Sequence, residues 1–175
     1  MKALKKYKIS LMDYKMSEIY ITSDTHFSHS TMIQKSWRPF KSVTEMNQVI
    51  IDNWNNTVSD DDTVYFLGDF AFTKDKEVIL SQLRGNIIMV KGNHDKSSLT
   101  RKRNIILTFK GYLIELVHRP DDVVAEADIV IHGHIHKAGQ QQYNLPAHYY
   151  NANCEFHKYK PKALREIIGE VTKQK

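Results

Sequence analysis

Seven side chains that can hold a metal ion follow short apolar runs in this sequence. The set comprises two carboxylates, four imidazoles and one carboxamide: Asp24, His26, Asp69, Asn93, His118, His134 and His136. Taken singly, each has an ordinary explanation as a turn former, a cap or a buried histidine. Together they form a mixed nitrogen and oxygen donor set that suits Mn, Fe, Zn or Ni better than Ca or Mg alone. Seven donors are too many for one tetrahedral ion, and they suit two ions that share a bridging carboxylate.

The stretch IVIHGHIHKAG, residues 129–139, concentrates this chemistry with three histidines in five positions. A buried imidazole needs a partner for each ring nitrogen unless it binds a metal ion. Alone, the stretch would be better explained as a histidine-rich surface loop. The prediction of metal ligands therefore depends on the ends of the other apolar runs.

Five apolar runs predict the strands that position these residues. They are residues 18–24, 62–69, 86–93, 112–118 and 128–133. Four of the five are rich in β-branched or aromatic residues, and all are too short for typical helices. Each run delivers a carboxylate, imidazole or carboxamide at its carboxyl end. In a parallel or mixed sheet these ends can converge on one site.

Helical patterns lie between and after the strands. Residues 42–56 open with a Ser42-x-x-Glu45 capping box. Residues 74–85 end at Gly85, a suitable residue after a helix, and residues 161–171 begin with Pro161 in a first-turn position. Strands that alternate with helices predict an α/β fold.

The size and composition of the chain predict one domain at residues 16–175, with residues 1–15 as an N-terminal extension or edge strand. The single cysteine among 175 residues excludes an internal disulfide framework and a multi-cysteine zinc finger. No apolar run reaches the roughly 20 residues that span a bilayer, and the basic N-terminus lacks a signal-peptide core. We therefore expect a cytoplasmic protein without a membrane partner. The net charge of +5 suits anionic substrates, although solubility alone explains it better.

The order DxH…GD…GNHD…H…GHxH, over residues 24–136, resembles the calcineurin-like metallophosphoesterase superfamily. The short chain is similar to the small single-domain phosphoesterases of bacteria, archaea and phages. The resemblance implies a four-layer α/β/β/α sandwich with two mixed β-sheets. It also implies two divalent metal ions, with manganese as the first expectation and iron, nickel, zinc or magnesium as alternatives.

The resemblance also assigns roles to the seven donors. The first metal would be held by Asp24, His26 and His136, the second by Asn93, His118 and His134, and Asp69 would bridge both. His94 of the GNHD motif would stabilise the phosphoryl oxygens or protonate the leaving alkoxide. The nucleophile would be a metal-bridging hydroxide. Asp95 would orient a neighbouring group, and His132 lies outside the motif as a buried histidine.

The combination DTHFxH followed by RPF resembles a smaller subgroup of these proteins. It makes Arg38 a candidate to hold a phosphate oxygen in bidentate fashion and His29 a candidate to line the pocket. The alternatives are a surface salt bridge for Arg38 and a turn cap for His29.

The leading hypothesis is hydrolysis of small phosphodiesters or phosphomonoesters by in-line attack. Nucleotides are among the candidate substrates. A nuclease of the same fold is one alternative, since residues 96–104 are basic, but a compact chain offers little surface to grip a polymer. A catalytically silent scaffold like the retromer subunit is another, and a single-zinc hydrolase is a third. The full set of ligand residues and His94 favours the enzyme.

Overall fold

Two four-stranded mixed sheets form the frame of the protein in the computed structural model, which describes residues 17–35, 37–96 and 99–173. The first sheet contains β1 (Ile19–Thr22), β2 (Thr63–Phe66), β3 (Asn86–Met89) and β8 (Lys162–Ala163), in the order β3-β2-β1-β8. The second contains β4 (Asn104–Phe109), β5 (Tyr112–Val117), β6 (Ile129–His132) and β7 (Tyr149–Asn151), in the order β4-β5-β6-β7. In each sheet three strands are parallel and one edge strand, β8 or β4, is antiparallel. The predicted α/β class with two mixed sheets is confirmed.

The described residues also form the α-helices α1 (Thr31–Gln34), α2 (Val43–Asn55), α3 (Lys76–Leu80) and α4 (Leu164–Thr172). The predicted start of α2 is confirmed, because the Ser42 hydroxyl accepts a hydrogen bond from the Glu45 N–H at 3.1 Å. The other two helix predictions need correction. Helix α3 stops at Leu80, so Gly85 does not end it, and α4 begins only at Leu164, after Pro161 and β8.

Each of the five predicted runs contains a strand, whereas β4 and the short β8, which lies inside the predicted helix 161–171, were not anticipated from the sequence. The edge strand or extension predicted for residues 1–15 lies outside the described residues. Within the described part of the chain, no helix is long and apolar enough to cross a membrane.

Two hydrophobic clusters hold the sheets and helices together. In the first, Met46, Ile50 and Trp54 of α2 pack with Val64 and Phe66 of β2. The second cluster joins apolar residues of both sheets with one face of α4: Ile21, Leu67, Ile114, Leu116, Ile129, Ile131, Leu164 and Ile167. The second cluster therefore buries residues of both sheets against one another, which holds the strand ends in fixed positions.

Candidate metal centre

The loops that follow β1, β2, β3, β5 and β6 are hydrogen-bonded to one another. The Asp24 N–H donates to the Gly68 carbonyl at 2.9 Å, and the His94 N–H donates to Asp69 Oδ1 at 2.9 Å. A further contact joins the two sheets, because the His134 N–H donates to Asp24 Oδ2 at 2.9 Å. The predicted convergence of strand ends is therefore present in the fold.

A first group of donors consists of Asp24, His26 and His136. The His26 Nε2 and His136 Nε2 atoms lie 3.9 and 3.8 Å from Asp24 Oδ1. Among the described residues, Asp24 Oδ1 and His26 Nε2 are buried without any hydrogen-bond partner. Since an unpaired buried polar atom costs about 1–3 kcal/mol, two such atoms facing each other are suited to sharing a cation.

A second group consists of Asp69, His118 and His134. The ring of His118 donates from Nδ1 to the Leu67 carbonyl at 2.8 Å. With its proton at Nδ1, the ring presents a lone pair at Nε2, which faces Asn93 Oδ1 at 2.8 Å and Asp69 Oδ2 at 3.5 Å. Three such atoms that face the same space are suited to a cation, and Asn93 lies beside this group.

The carboxylate of Asp69 contacts both groups through one oxygen. Its Oδ2 lies 3.7 Å from His26 Nε2 in the first group and 3.5 Å from His118 Nε2 in the second. Its Oδ1 is occupied by the His94 N–H. This division of the two oxygens suits a carboxylate that is fixed by one atom and bridges two ions with the other.

The spacing and protonation of the donors fit divalent metal ions. Bonds of about 2.0–2.2 Å hold two donors of one ion roughly 3–4.4 Å apart, which covers the donor distances of 3.5–3.9 Å given above, whereas His118 Nε2 and Asn93 Oδ1 lie closer, at 2.8 Å. Burial lowers the pKa of His26 well below its usual range, and burial together with His118 lowers the pKa of His134 to about 4. Both rings are therefore neutral near pH 7 and keep a lone pair for a metal. Burial raises the pKa of Asp24, so a nearby cation would stabilise its ionised form.

Four of the seven donors have a strained backbone. The φ angles of Asp24, His26, Asp69 and His134 are 55°, 49°, 59° and 67°, in the left-handed region that L-residues rarely adopt. Each residue in this conformation raises the free energy of the folded state by about 1–2 kcal/mol, and backbone strain of this kind is concentrated at functional sites. The abrupt turn after each strand points the ligand side chains toward the shared centre rather than along the sheet.

The glycines of the GN and GH motifs allow the loops to approach one another. A Cβ on Gly92 would collide with the backbone nitrogen and carboxylate of Asp69, and one on Gly133 would lie 2.5 Å from Asp24 Oδ2. These two motif glycines therefore have a steric role, which is to let one ligand loop lie directly on another.

Arg38 differs from its prediction. Its side chain is fully buried, and its Nε donates to Glu155 Oε1 at 2.9 Å. The two terminal nitrogens donate to the carbonyl oxygens of Thr25 and Asp24 at 2.7 and 2.6 Å. This burial contradicts both a bidentate contact with substrate and a surface salt bridge. Arg38 instead holds the loop after β1 in place.

Glu155 is the residue that the sequence did not reveal. Its Oε1 accepts from both Arg38 and His136 Nδ1, the latter at 2.8 Å, and its Oε2 accepts from the Lys137 N–H at 3.1 Å. Burial alone would lower the pKa of His136, but the hydrogen bond to Glu155 and the nearby Asp24 carboxyl raise it overall. The only sequence signal was a carboxylate among apolar and polar residues in NCEFH, which is too common to single out.

His94 and His29 lie at the exposed side of the first group. His94 is 49% exposed, with its Nε2 4.0 Å from Asp69 Oδ2. His29 is partly buried, its Nδ1 lies 3.2 Å from His26 Nδ1, and its ring stacks on Phe72 with centroids 3.6 Å apart. The Phe72 ring also contacts His94, at 5.1 Å. The arrangement leaves His94 accessible while Phe72 and His29 support the rings behind it.

Asp95 and His132 stabilise the surrounding backbone. The Asp95 carboxylate accepts hydrogen bonds from the N–H groups of Gly92, Asp69 and Phe70 at 2.9, 2.7 and 3.0 Å. It therefore fixes the loop after β2 against the loop after β3, as the expected orienting role requires. His132 is buried in β6 and its Nδ1 donates to the Gly133 carbonyl at 2.8 Å.

Comparison with known proteins finds one protein family. A model of the calcineurin-like phosphoesterase superfamily domain matches residues 17–152. An uncharacterised protein of Methanocaldococcus jannaschii is 38% identical over 169 residues, which cover 91% of this chain and 94% of the relative. The crystal structure of a protein of unknown function from Aquifex aeolicus has a TM-score of 0.71 and 31% identity, and the alignment covers 88% of this chain and 99% of that one. An archaeal phosphodiesterase has a TM-score of 0.45 and 19% identity, covering 84% of this chain and 98% of the other.

Proposed function

Because this chain belongs to the calcineurin-like phosphoesterase superfamily, whose domain model matches residues 17–152, we propose that it hydrolyses phosphate esters with two bound divalent metal ions. The observation that carries this proposal is the position of Asp69 Oδ2, which lies within 3.7 Å of donors from both groups. A shared carboxylate between two donor groups is suited to a pair of ions and not to a single zinc.

The two ions would be held by the residues already described. Asp24, His26 and His136 would hold the first, Asn93, His118 and His134 the second, and Asp69 both. When bound, such ions supply a nucleophile from water at neutral pH and positive charge opposite the phosphate oxygens. Manganese is our first expectation, with iron, nickel, zinc and magnesium as alternatives.

His94 would act on the substrate from the exposed side of the site. Its backbone is fixed by Asp69, while about half of its side chain is open to solvent. A ring in this position can hydrogen-bond a phosphoryl oxygen and transfer a proton to the departing alkoxide. The main contribution of the chain is therefore to align the phosphate between the metal groups and His94.

Small phosphodiesters and phosphomonoesters, nucleotides among them, are the proposed substrates, and the proposed location is the cytoplasm. Nuclease activity is the second candidate. A silent scaffold is disfavoured because His94, which is not among the proposed metal ligands, lies exposed beside the donor groups, where metal binding for stability alone does not require it.

Metal-stripped protein should be tested with Mn, Ni, Mg, Zn and Fe(II) added back separately. The substrates are a phosphomonoester, a phosphodiester, a 2′,3′-cyclic nucleotide and a single-stranded oligonucleotide. We expect metal-dependent turnover that falls by about 10²–10⁴-fold in His94→Ala, because proton transfer and charge stabilisation by the imidazole are lost. Two equivalents of metal should still bind to the variant.

The outcomes distinguish an enzyme that uses His94 from an enzyme that does not and from a scaffold. Turnover unchanged in His94→Ala would remove this residue from the reaction. Wild-type protein that binds two equivalents of metal and hydrolyses none of the four substrates would point to the scaffold reading.

A further inference from the structure

A cavity of about 230 Å³ opens beside the second donor group. Asn93 and His118 form part of its wall, so it is continuous with the proposed metal centre. The rest of the wall carries the cations Lys91, Arg103 and Arg119 and one carboxylate, Asp122. None of these cations has a role in the reaction proposed above.

The topology explains why cations distant in sequence meet here. Strands β4 and β5 are antiparallel, with Asn104 paired to Val117, so Arg103 before β4 and Arg119 after β5 lie at the same end of the hairpin. The Lys91 N–H donates to the Lys102 carbonyl at 2.7 Å, which holds the end of β3 beside the start of this hairpin. The cluster is thus built by the fold and does not depend on a flexible tail.

The two arginines are available to a ligand. Both are exposed, and no carboxylate in the described part of the chain forms an ion pair with either. The Arg119 Nε donates a hydrogen bond to His134 Nε2 at 3.4 Å, which places this guanidinium directly beside a proposed metal ligand. Arginine presents a planar fork of donors that matches phosphate oxygens, so a cavity with two arginines suits a phosphate group.

We propose that this cavity binds a second phosphate of the substrate, next to the phosphate that is hydrolysed. This inference rests on the proposed phosphoesterase function and narrows its substrates to small esters with at least two phosphates, such as a phosphorylated dinucleotide. Part of the basic segment noted in the sequence, Arg103, then has a defined function. A simple diester such as a bis-aryl phosphate would be a poor substrate.

Three matched substrates test the subsite. They are a thymidine dinucleotide with one internal phosphodiester, and the same dinucleotide with an added 5′-phosphate or an added 3′-phosphate. We expect one of the two phosphorylated forms to have a kcat/KM about tenfold above that of the plain dinucleotide, since charge-assisted hydrogen bonds of this kind have that effect. Whether the 5′- or the 3′-phosphate gives the increase also shows which end of the dinucleotide lies in the cavity.

The variant Arg103→Ala should reduce this ratio between substrates to about one. A general change in activity or folding affects kcat/KM for all three substrates equally, so it does not change the ratio. Arg101→Ala is the matched control. Arg101 lies two residues before Arg103 and carries the same charge, but its side chain does not line the cavity, so this variant should retain the full ratio. Equal rates for all three dinucleotides, or a ratio that survives in Arg103→Ala, would overturn the proposal.

A binding measurement separates this proposal from the proposed activity. Calorimetry with Mn-loaded His94→Ala protein, in which turnover is suppressed, should show about tenfold tighter binding of the favoured phosphorylated dinucleotide. Adding Arg103→Ala should abolish that difference. If the binding preference is present while wild-type protein hydrolyses nothing, the subsite stands and the catalytic function fails. If hydrolysis occurs without any preference, the subsite fails alone.

Discussion

The buried carboxylate of Glu155 connects two segments that both carry proposed metal ligands. It accepts from His136 Nδ1, and a carboxylate at the far nitrogen of a metal-binding imidazole fixes the tautomer and raises the basicity of the ring. It also pairs with Arg38, which donates to the carbonyl oxygens of Asp24 and Thr25. One buried ion pair therefore positions the loop after β1 and the loop after β6 at the same time.

Glu155→Gln should weaken metal binding at the first group. The amide is neutral, so it no longer pairs with Arg38 as an anion, and it orients His136 less strongly. We expect about 10–100-fold lower affinity for one of the two metal equivalents, from loss of the partner of His136. Unpairing Arg38 should also lower the free energy of unfolding by about 3 kcal/mol. Competition with a chelating dye measures the affinity, and urea denaturation measures the stability.

Glu166→Gln is the control for that substitution. Glu166 of α4 is half exposed and pairs with Lys162 of β8 at 3.2 Å, away from the site. An exposed pair of this kind contributes about 1 kcal/mol at most, so the control should change neither measurement strongly. Equal metal affinity in Glu155→Gln and wild-type protein would contradict the positioning role of Glu155.

At the residue scale, the sequence located the donor residues better than the residues that hold them in place. Side chains such as Asp24 and Asn93 follow apolar runs directly, so the spacing alone places them at strand ends. Glu155 and Arg38 are 117 residues apart and meet only through the packing of several loops. Because the burial of a charged residue depends on that packing, the sequence offered Arg38 as a surface or substrate-binding group when it is a buried structural one.

At the scale of elements, the site depends on how strands end. The turns at Asp24, Asp69 and His134 are strained, and hydrogen bonds between the loops hold them in that conformation. The sequence predicted β1, β2, β3, β5 and β6 from their apolar runs. It missed β4, an edge strand with exposed Ile106 that follows a basic segment, since alternating burial at an edge gives a weak pattern.

Gly133→Ala tests the contact between the loops after β1 and β6. The new methyl group would lie 2.5 Å from Asp24 Oδ2, the atom that accepts the His134 N–H. The loops must separate, so we expect a loss of about 1–3 kcal/mol in the free energy of unfolding and weaker binding of both metals. Urea denaturation of the metal-stripped protein and metal titration measure the two effects.

Gly169→Ala provides the matched control, because Gly169 lies in α4 with open space around its Cβ position. Alanine is the better helix former, so this variant should be more stable by about 0.5–1 kcal/mol and should bind metal normally. If Gly133→Ala behaved like Gly169→Ala, close approach of the two loops would not be required for the site.

At the scale of the whole molecule, both donor groups draw ligands from both sheets. Asp24 and His26 follow β1 of the first sheet, whereas His136 follows β6 of the second. In the second group, Asp69 and Asn93 come from the first sheet, and His118 and His134 from the second. Each bound ion would therefore crosslink the two sheets, and this linkage would be lost when the chain unfolds.

Metal binding should consequently raise the melting temperature of the whole protein. An ion at 1,000 times its dissociation constant stabilises the folded state by about 4 kcal/mol, which corresponds to a rise of roughly 10 °C for a chain of this size. Differential scanning calorimetry of stripped protein, before and after addition of Mn, measures the shift, and the mixed donor set predicts a smaller shift with Ca.

In Asp69→Asn the shift should shrink, because the bridging anion becomes a neutral amide that both ions bind weakly. Comparing each protein with and without metal removes the effect of the substitution on the stripped state. A wild-type melting temperature that does not respond to any of the transition metals would refute the metal centre, and a full response in Asp69→Asn would refute the bridge.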